Sequence, residues 1–391
     1  MKKNPGMKNL IYVVSALVLW VLPASGQTLQ IDELITEVRA RYAPDKRTAV
    51  FDLKAQQDSL GNWFLTGETD QPKALEELLA KSSQKGLVLQ TQIQMLPAAS
   101  LEGYHWGVVT LSACNIRSQP RHAAELATQS TLGTPLRVLK REGGWYLVQT
   151  PDDYLGWLDD GGFVLLDSAG YQRWRSAPKV VYLPDMGFAR QAPRSDAPFV
   201  SDLLAGNILL DLGSEGAFTK VGFPDGRQAY VPAAEVMSYR QWLDSRQPTV
   251  ENIIATAHRF MGRPYLWGGT SGKGVDCSGF TKTVFYLNGL LLPRDASQQV
   301  HTGIDIPADT TLANLLPGDL LFYGRHATAD SPEKVTHVAI YLGDGQIIHA
   351  SGAVKVESMR RGDPTFVEDR LRTYLRGRRV LGEAGVRRVG E

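Results

Sequence analysis

The most constraining stretch of the chain is residues 268–280, Gly-Gly-Thr-Ser-Gly-Lys-Gly-Val-Asp-Cys-Ser-Gly-Phe. Four glycines crowd the approach to Cys277, and Phe280, Val284, Phe285 and Leu287 then recur at helical spacing. That pattern predicts a helix opening at the cysteine, with its N-terminus facing a cleft. Free backbone N–H groups and the positive end of the helix dipole favour a thiolate there. The glycines let another backbone approach without meeting a Cβ. A free cysteine is otherwise a small buried hydrophobe, so the assignment needs a base nearby.

The base is expected from a hairpin. Residues 335–342 (Val-Thr-His-Val-Ala-Ile-Tyr-Leu) read as a strand, 343–345 (Gly-Asp-Gly) as a turn and 346–351 (Gln-Ile-Ile-His-Ala-Ser) as the returning strand. With a three-residue loop, Leu342 faces Gln346 and His337 faces Ser351, which makes His349 a diagonal neighbour of His337 on one face. A cysteine and two histidines of matching parity form a nucleophile, base and orienter set: Cys277, His337 and His349. His258, His301 and His326 have no such placement and are read as decoys.

These motifs resemble, as an ordered set, the NlpC-type cell-wall cysteine peptidases. The resemblance rests on residues 265–269 (Tyr-Leu-Trp-Gly-Gly), 276–280, 290–299 with Pro293-Arg294-Asp295, 316–320 (Leu-Pro-Gly-Asp-Leu), 337–341 and 348–350. It implies a papain-like α+β domain over residues 248–382 that hydrolyses the bond between D-glutamate, through its γ-carboxyl, and the L-diamino acid of a peptidoglycan stem peptide. It also implies substrate contacts at Tyr265, Trp267, Asp276, Ser278, Arg294 and Asp295, with the Cys277 N–H and the Tyr265 hydroxyl toward the oxyanion. A serine commonly follows the aspartate in this family, whereas Ala296 stands here and Ser297 comes one place later.

Upstream, Lys2, Lys3 and Lys8 precede an apolar run over residues 10–22, and Ala24-Ser25-Gly26 supplies small residues for cleavage. Residues 1–26 read as a secretory signal, with an uncleaved anchor as the alternative. Either places the chain outside the cytoplasm, in the periplasm or beyond the cell, with no stable membrane span once the signal is removed. Lys plus Arg (42) and Asp plus Glu (41) nearly cancel, which argues against nucleic acid as a partner. The two cysteines, Cys114 and Cys277, read as free thiols, although a bridge between them would consume the nucleophile. No zinc-ligand spacing is evident, so neither metal nor cofactor is expected, and the chain is expected to be a monomer.

Residues 27–100 read as a small α/β unit without chemistry of its own. Residues 105–168 show short strands between turn residues and look like a bacterial SH3-like barrel, and residues 178–240 repeat the pattern more weakly. The expected fold class is therefore multidomain α+β: an α/β unit, two SH3-like barrels and a papain-like domain. Two barrels before the peptidase resemble the γ-D-glutamyl-L-diamino acid endopeptidases, in which the first barrel narrows the cleft to peptides with a free N-terminal L-alanine. By that resemblance Glu125 and Tyr154 hold the ammonium, the partner being a stem peptide or muropeptide fragment. Trimming of intact wall by a D,L-endopeptidase, and wall binding by an inactive domain, are the alternatives. The C-terminal residues 369–375 read as a short helix and the residues beyond 375 as a solvated basic tail.

Overall fold

The computed structural model describes residues 24–383 and 385–390. The signal expected over residues 1–26 lies outside them, apart from residues 24–26, which open the first helix. Among the described residues no helix is long and apolar enough to cross a membrane. The described residues divide into two compact units, one of residues 24–44 and 51–94, the other of residues 45–50 and those from 95 onward.

The first unit has helices Ala24–Tyr42 and Pro72–Gln84 with a three-stranded sheet of Phe51–Gln57, Trp63–Thr69 and Leu89–Met95. Ile31, Leu34, Ile35 and Val38 form the buried stripe that the helical spacing predicts. Residues 45–50, read in the sequence as part of this unit, belong with the other one.

The second unit begins with two seven-stranded antiparallel sheets of identical connectivity. Numbering the strands of each in chain order, both run seventh, first, fourth, fifth, sixth, second, third. The first sheet spans Trp106–Val109 to Phe163–Leu166 and the second Lys179–Tyr182 to Val236–Ser238. In each, a 3₁₀ turn precedes the last strand and a helix follows it. Equivalent arginines even make equivalent bonds: Arg117 Nη1 donates to the Ala124 carbonyl at 2.8 Å, and Arg190 Nη1 to the Ala197 carbonyl at 2.9 Å. The sequence places Cys114 in one strand over residues 108–116. A break at residues 110–112 instead makes two strands, and Cys114 is buried in the first core.

The third part holds a six-stranded sheet in the order Ile304–Pro307, Tyr374–Arg379, Leu320–Arg325, Lys334–Gly343, Gln346–Ser351, Ala353–Ser358. One face (Leu320, Phe322, Val338, Ile340, Ile348) packs on helices Val250–Arg259 and Cys277–Leu287 through Ile253, Phe280, Val284 and Phe285. The other (Leu321, Tyr323, Ala339, Tyr341, Ile347) forms a separate cluster, as period-two alternation demands.

Two expectations are corrected here. The tail is not simply solvated: after a short helix Glu368–Arg372, Tyr374–Arg379 enters the sheet interior. Its arginines are tolerated because each finds an acid, Arg376 on Glu333, Arg378 on Asp305 and Arg379 on Asp319. The histidine hairpin also turns differently. Gly343 pairs with Gln346 across a two-residue turn of Asp344 (φ 51°) and Gly345 (φ 81°), and Leu342 is accommodated by a bulge. Beyond it, Ile340 faces Ile348, the register expected from the sequence.

Candidate active site

Cys277 begins the helix Cys277–Leu287, and Asp276 caps it by accepting from the Gly279 N–H at 2.7 Å. The loop before it is held tightly. A Cβ on Gly268 (φ 78°) would lie 2.1 Å from the Leu126 carbonyl, so only glycine lets the first sheet approach this closely. The side of that loop is bonded to one residue of the same strand. The Gln129 carbonyl accepts from Thr270 Oγ1 (2.8 Å), and its Oε1 accepts from the Thr270 N–H (3.1 Å) and from Ser271 Oγ (2.9 Å).

The strand Lys334–Gly343 lies against this helix, and Cys277 and Val338 share one buried core cluster. His337, next to Val338, places its Nε2 2.7 Å from His349 Nδ1. The two rings stand almost perpendicular, at 87°. His349 is fully buried, and its Nε2 lies 3.0 Å from Glu357 Oε2. The carboxylate stands off the N–H axis, so this is a close electrostatic contact without an aligned hydrogen bond. Lys355 (2.6 Å) and Arg370 (3.1 Å) also grip Glu357.

Burial and then the Asp276 carboxylate push the Cys277 thiol up to about 11. Burial, the neighbouring His349 and Arg370 hold His337 well below its ordinary value. Thiol and imidazole are thus both neutral at rest. Tyr265, half-buried, is pushed up to about 12 by burial and by the proximity of Cys277 and Asp276, which sets its hydroxyl among these groups.

Of the expected substrate contacts, Asp276, Ser278 and Arg294 are buried and engage one another. Arg294 Nη2 donates to Asp276 Oδ2 at 2.6 Å, and Nη1 to Asp276 Oδ1 and Ser278 Oγ at 3.1 Å each. Arg294 Nε reaches Thr128 of the first sheet at 3.0 Å. Two further pairs join the same sheet to this region: Trp267 Nε1 donates to Glu125 Oε1 (2.6 Å) and the Tyr154 hydroxyl to Asp295 Oδ2 (3.0 Å). Trp267 is 62% exposed, so its ring offers an open wall. A cavity of about 570 Å³ lies behind the helix, between Gln129, Ile208, Ser271, Lys282 and Tyr286, and does not include Cys277.

Both cysteines are free, and Cys114, its thiol pushed up to about 12 by burial, is remote from this chemistry. His258, His301 and His326 are exposed. Among the described residues no cluster of His, Cys, Asp or Glu could hold a metal ion.

Two residues escaped the sequence reading. Arg47 Nη1 donates to Asp295 Oδ2 (2.7 Å) and Ser297 Oγ (2.9 Å), while Asp45 holds the rest of its guanidinium. Nothing local signals a contact across 248 positions. Glu357 was findable in principle, since its strand follows that of His349 after a single glycine and must pair beside it.

A cysteine at a helix N-terminus, packed against a hairpin that carries one histidine on each of its two strands, has the parts of a peptidase-type hydrolase site. The comparisons agree. Residues 262–372 match the NlpC/P60 family, and residues 116–162 match the bacterial dipeptidyl-peptidase Sh3 domain. The chain is 30% identical over 280 residues to the gamma-D-glutamyl-L-lysine dipeptidyl-peptidase of Bacillus cereus, covering 66% of this chain and 77% of that one. It is 28% identical over 278 residues to dipeptidyl-peptidase 6 of Lysinibacillus sphaericus, covering 67% and 94% respectively. A crystal structure of an NlpC/P60 family protein from Bacillus cereus has the same fold, with a TM-score of 0.59 at 24% identity over 71% of this chain and 99% of that one. The chain belongs to the NlpC/P60 family.

Proposed function

We propose that the protein is an exported cysteine peptidase that cleaves the γ-D-glutamyl-L-diamino acid bond of peptidoglycan stem peptides bearing a free N-terminal L-alanine. The observation that carries the catalytic assignment is the conjunction of Cys277, at the start of its helix in the core cluster that holds Val338, with the 2.7 Å contact between His337 and His349. The Cys277 sulfur attacks the glutamyl γ-carbonyl while its proton passes to His337. The backbone N–H of Cys277 and the Tyr265 hydroxyl supply donors for the oxyanion. Collapse breaks the C–N bond, and His337 returns the proton to the leaving amine. Water, deprotonated by His337, then attacks the thioester and releases the thiol.

The restriction to free amines is supported by the docking of the first sheet, which carries Glu125 to Trp267 and Tyr154 to Asp295 at the rim of the site. A carboxylate and a phenol suit an ammonium, since a partly buried cation needs a compensating charge. The named relatives point the same way, being a gamma-D-glutamyl-L-lysine dipeptidyl-peptidase and a dipeptidyl-peptidase.

The test compares L-Ala-γ-D-Glu-diamino acid with its N-acetyl form. Acetylation removes the charge and adds bulk, so kcat/KM should fall by roughly 100-fold or more. Efficient release of peptides from intact sacculus would transfer the assignment to wall trimming.

A further inference from the structure

The catalytic histidines make a chain whose far end is anchored by charge. His337 Nε2 meets His349 Nδ1 at 2.7 Å, and His349 Nε2 meets Glu357 Oε2 at 3.0 Å. Glu357 is itself fixed, with Lys355 Nζ 2.6 Å from Oε1 and Arg370 Nε 3.1 Å from Oε2, while Arg370 also donates to Ser351 Oγ at 3.2 Å. We propose that Glu357 is a positioning residue for the catalytic pair: by keeping the proton of His349 on Nε2, it determines which nitrogen of His337 is free to take the proton of Cys277. This rests on the reading of Cys277 and His337 as nucleophile and base.

Donors and acceptors must alternate along such a chain, and an ionised carboxylate only accepts. If His349 Nε2 were bare, two electron-rich atoms would stand 3.0 Å apart at a fully buried imidazole, a repulsive arrangement even without alignment along the ring axis. His349 therefore carries its proton on Nε2 and presents the Nδ1 lone pair to His337. His337 must then hold its own proton on Nε2, so Nδ1 remains to accept from the thiol.

The ionisation states agree with this. The contact with His349, then those with Lys355 and Arg370, keep Glu357 far below the usual carboxylate range despite its burial. Burial holds His349 below its ordinary value, so near pH 7 it carries a single ring proton. The charged groups facing Glu357 are Lys355, Arg370 and His349, and Tyr323 feels both its charge and that of Arg370.

Removing the carboxylate does more than free the tautomer. Arg370 and Lys355 remain beside His349 and favour a lone pair on Nε2, which turns Nδ1 into the donor and reverses the relay. His337 would then point an N–H at the sulfur. The negative charge that supports the imidazolium formed during attack would be lost as well.

The test uses the full chain and needs no peptide substrate. Cys277 is alkylated with iodoacetamide across the pH range, and the labelled peptide is identified by mass, which separates it from Cys114, a thiol in the core of the first sheet. Glu357→Leu should slow labelling at pH 7 by about 10- to 100-fold, as loss of an outer-shell partner does elsewhere. Glu357→Leu combined with Arg370→Leu should recover part of the rate. If Glu357→Leu does not fold, the isosteric Glu357→Gln decides: it keeps an acceptor without charge, so its profile should move to higher pH with a smaller loss of rate. A wild-type rate and profile in Glu357→Leu, or a Glu357→Gln profile superimposable on wild type, overturns the proposal. The nucleophile reading stands or falls separately on peptide turnover by Cys277→Ala.

Discussion

The two seven-stranded sheets share one connectivity but not one task. Pairing places Arg117 opposite Trp157 and Arg190 opposite Tyr230, while the bulged pairs Arg117–Leu126 and Arg190–Phe199 correspond. On that alignment Glu125 corresponds to Pro198 and Tyr154 to Arg227. The ammonium-receiving groups proposed in the first sheet therefore have no chemical counterpart in the second. The attachments differ too. Asp152 of the first sheet reaches Lys282 on the helix Cys277–Leu287 in a buried pair, with side chains 2% and 12% exposed. Asp202 of the second reaches Lys273 in the loop before it, with 34% and 42% exposed. A duplicated scaffold has kept its ladder and diverged in the residues at its contacts, which is where function must be read.

The comparison can be broken most sharply at the chemistry itself. Cys277→Ala or His337→Ala should abolish peptide hydrolysis while both sheets keep their place, as seen by an unchanged thermal transition, because each removes a reacting group rather than a docking one. Next come the attachments. Asp152→Ala leaves Lys282 as an uncompensated buried charge and should cost about 3–5 kcal/mol of stability by denaturant titration. Asp202→Ala should cost about 1–2 kcal/mol, since Lys273 is exposed to solvent and only the buried Ser112 hydroxyl loses its acceptor. Equal losses would remove the distinction between the two sheets. Third, Glu125→Gln should lower kcat/KM for the free tripeptide by about three- to tenfold and shrink the gap to the N-acetyl form, whereas Pro198→Ala at the matching position should do nothing.

The smallest effect is on acid stability. His337 and His349 are both held below their ordinary values, so below about pH 6.5 the unfolded chain binds more protons than the folded one. Stability should be flat above that pH and decline beneath it. The Asp152 carboxyl, which burial alone would raise, is brought below its usual value by Lys282. Its contribution is present above about pH 3.9 and is lost as pH falls further. Two acid phases followed by tryptophan fluorescence, with His349→Gln weakening only the upper one, would separate the site from the sheet attachment.

The parts legible in the sequence were those written at short range. Glycines before Cys277 and apolar spacing after it specified a loop and a helix, and period two specified which histidines share a face. Even there, the bulge at Leu342 was invisible, because the one-residue shift it introduces offsets the shorter turn and leaves Ile340 facing Ile348. Contacts set by docking left no trace: Arg47 on Asp295 joins segments with no shared periodicity. The last strand was misread because its arginines look solvated until Glu333, Asp305 and Asp319 are brought alongside. The burial of Cys277 was not legible either, since a motif displays a helix terminus but not how deeply that terminus lies.

The bonds from Gln129 to Thr270 and Ser271 bear on how the molecule is made. A ribosome delivers residues 126–131 well before it delivers the glycine-rich loop, and domains fold in the order in which they emerge. The first sheet can thus be complete when the cysteine-bearing segment appears, ready to act as its template. On this view the earlier module is an internal assembly factor for the later one. A graft of the catalytic domain onto another scaffold would have to carry that strand with it.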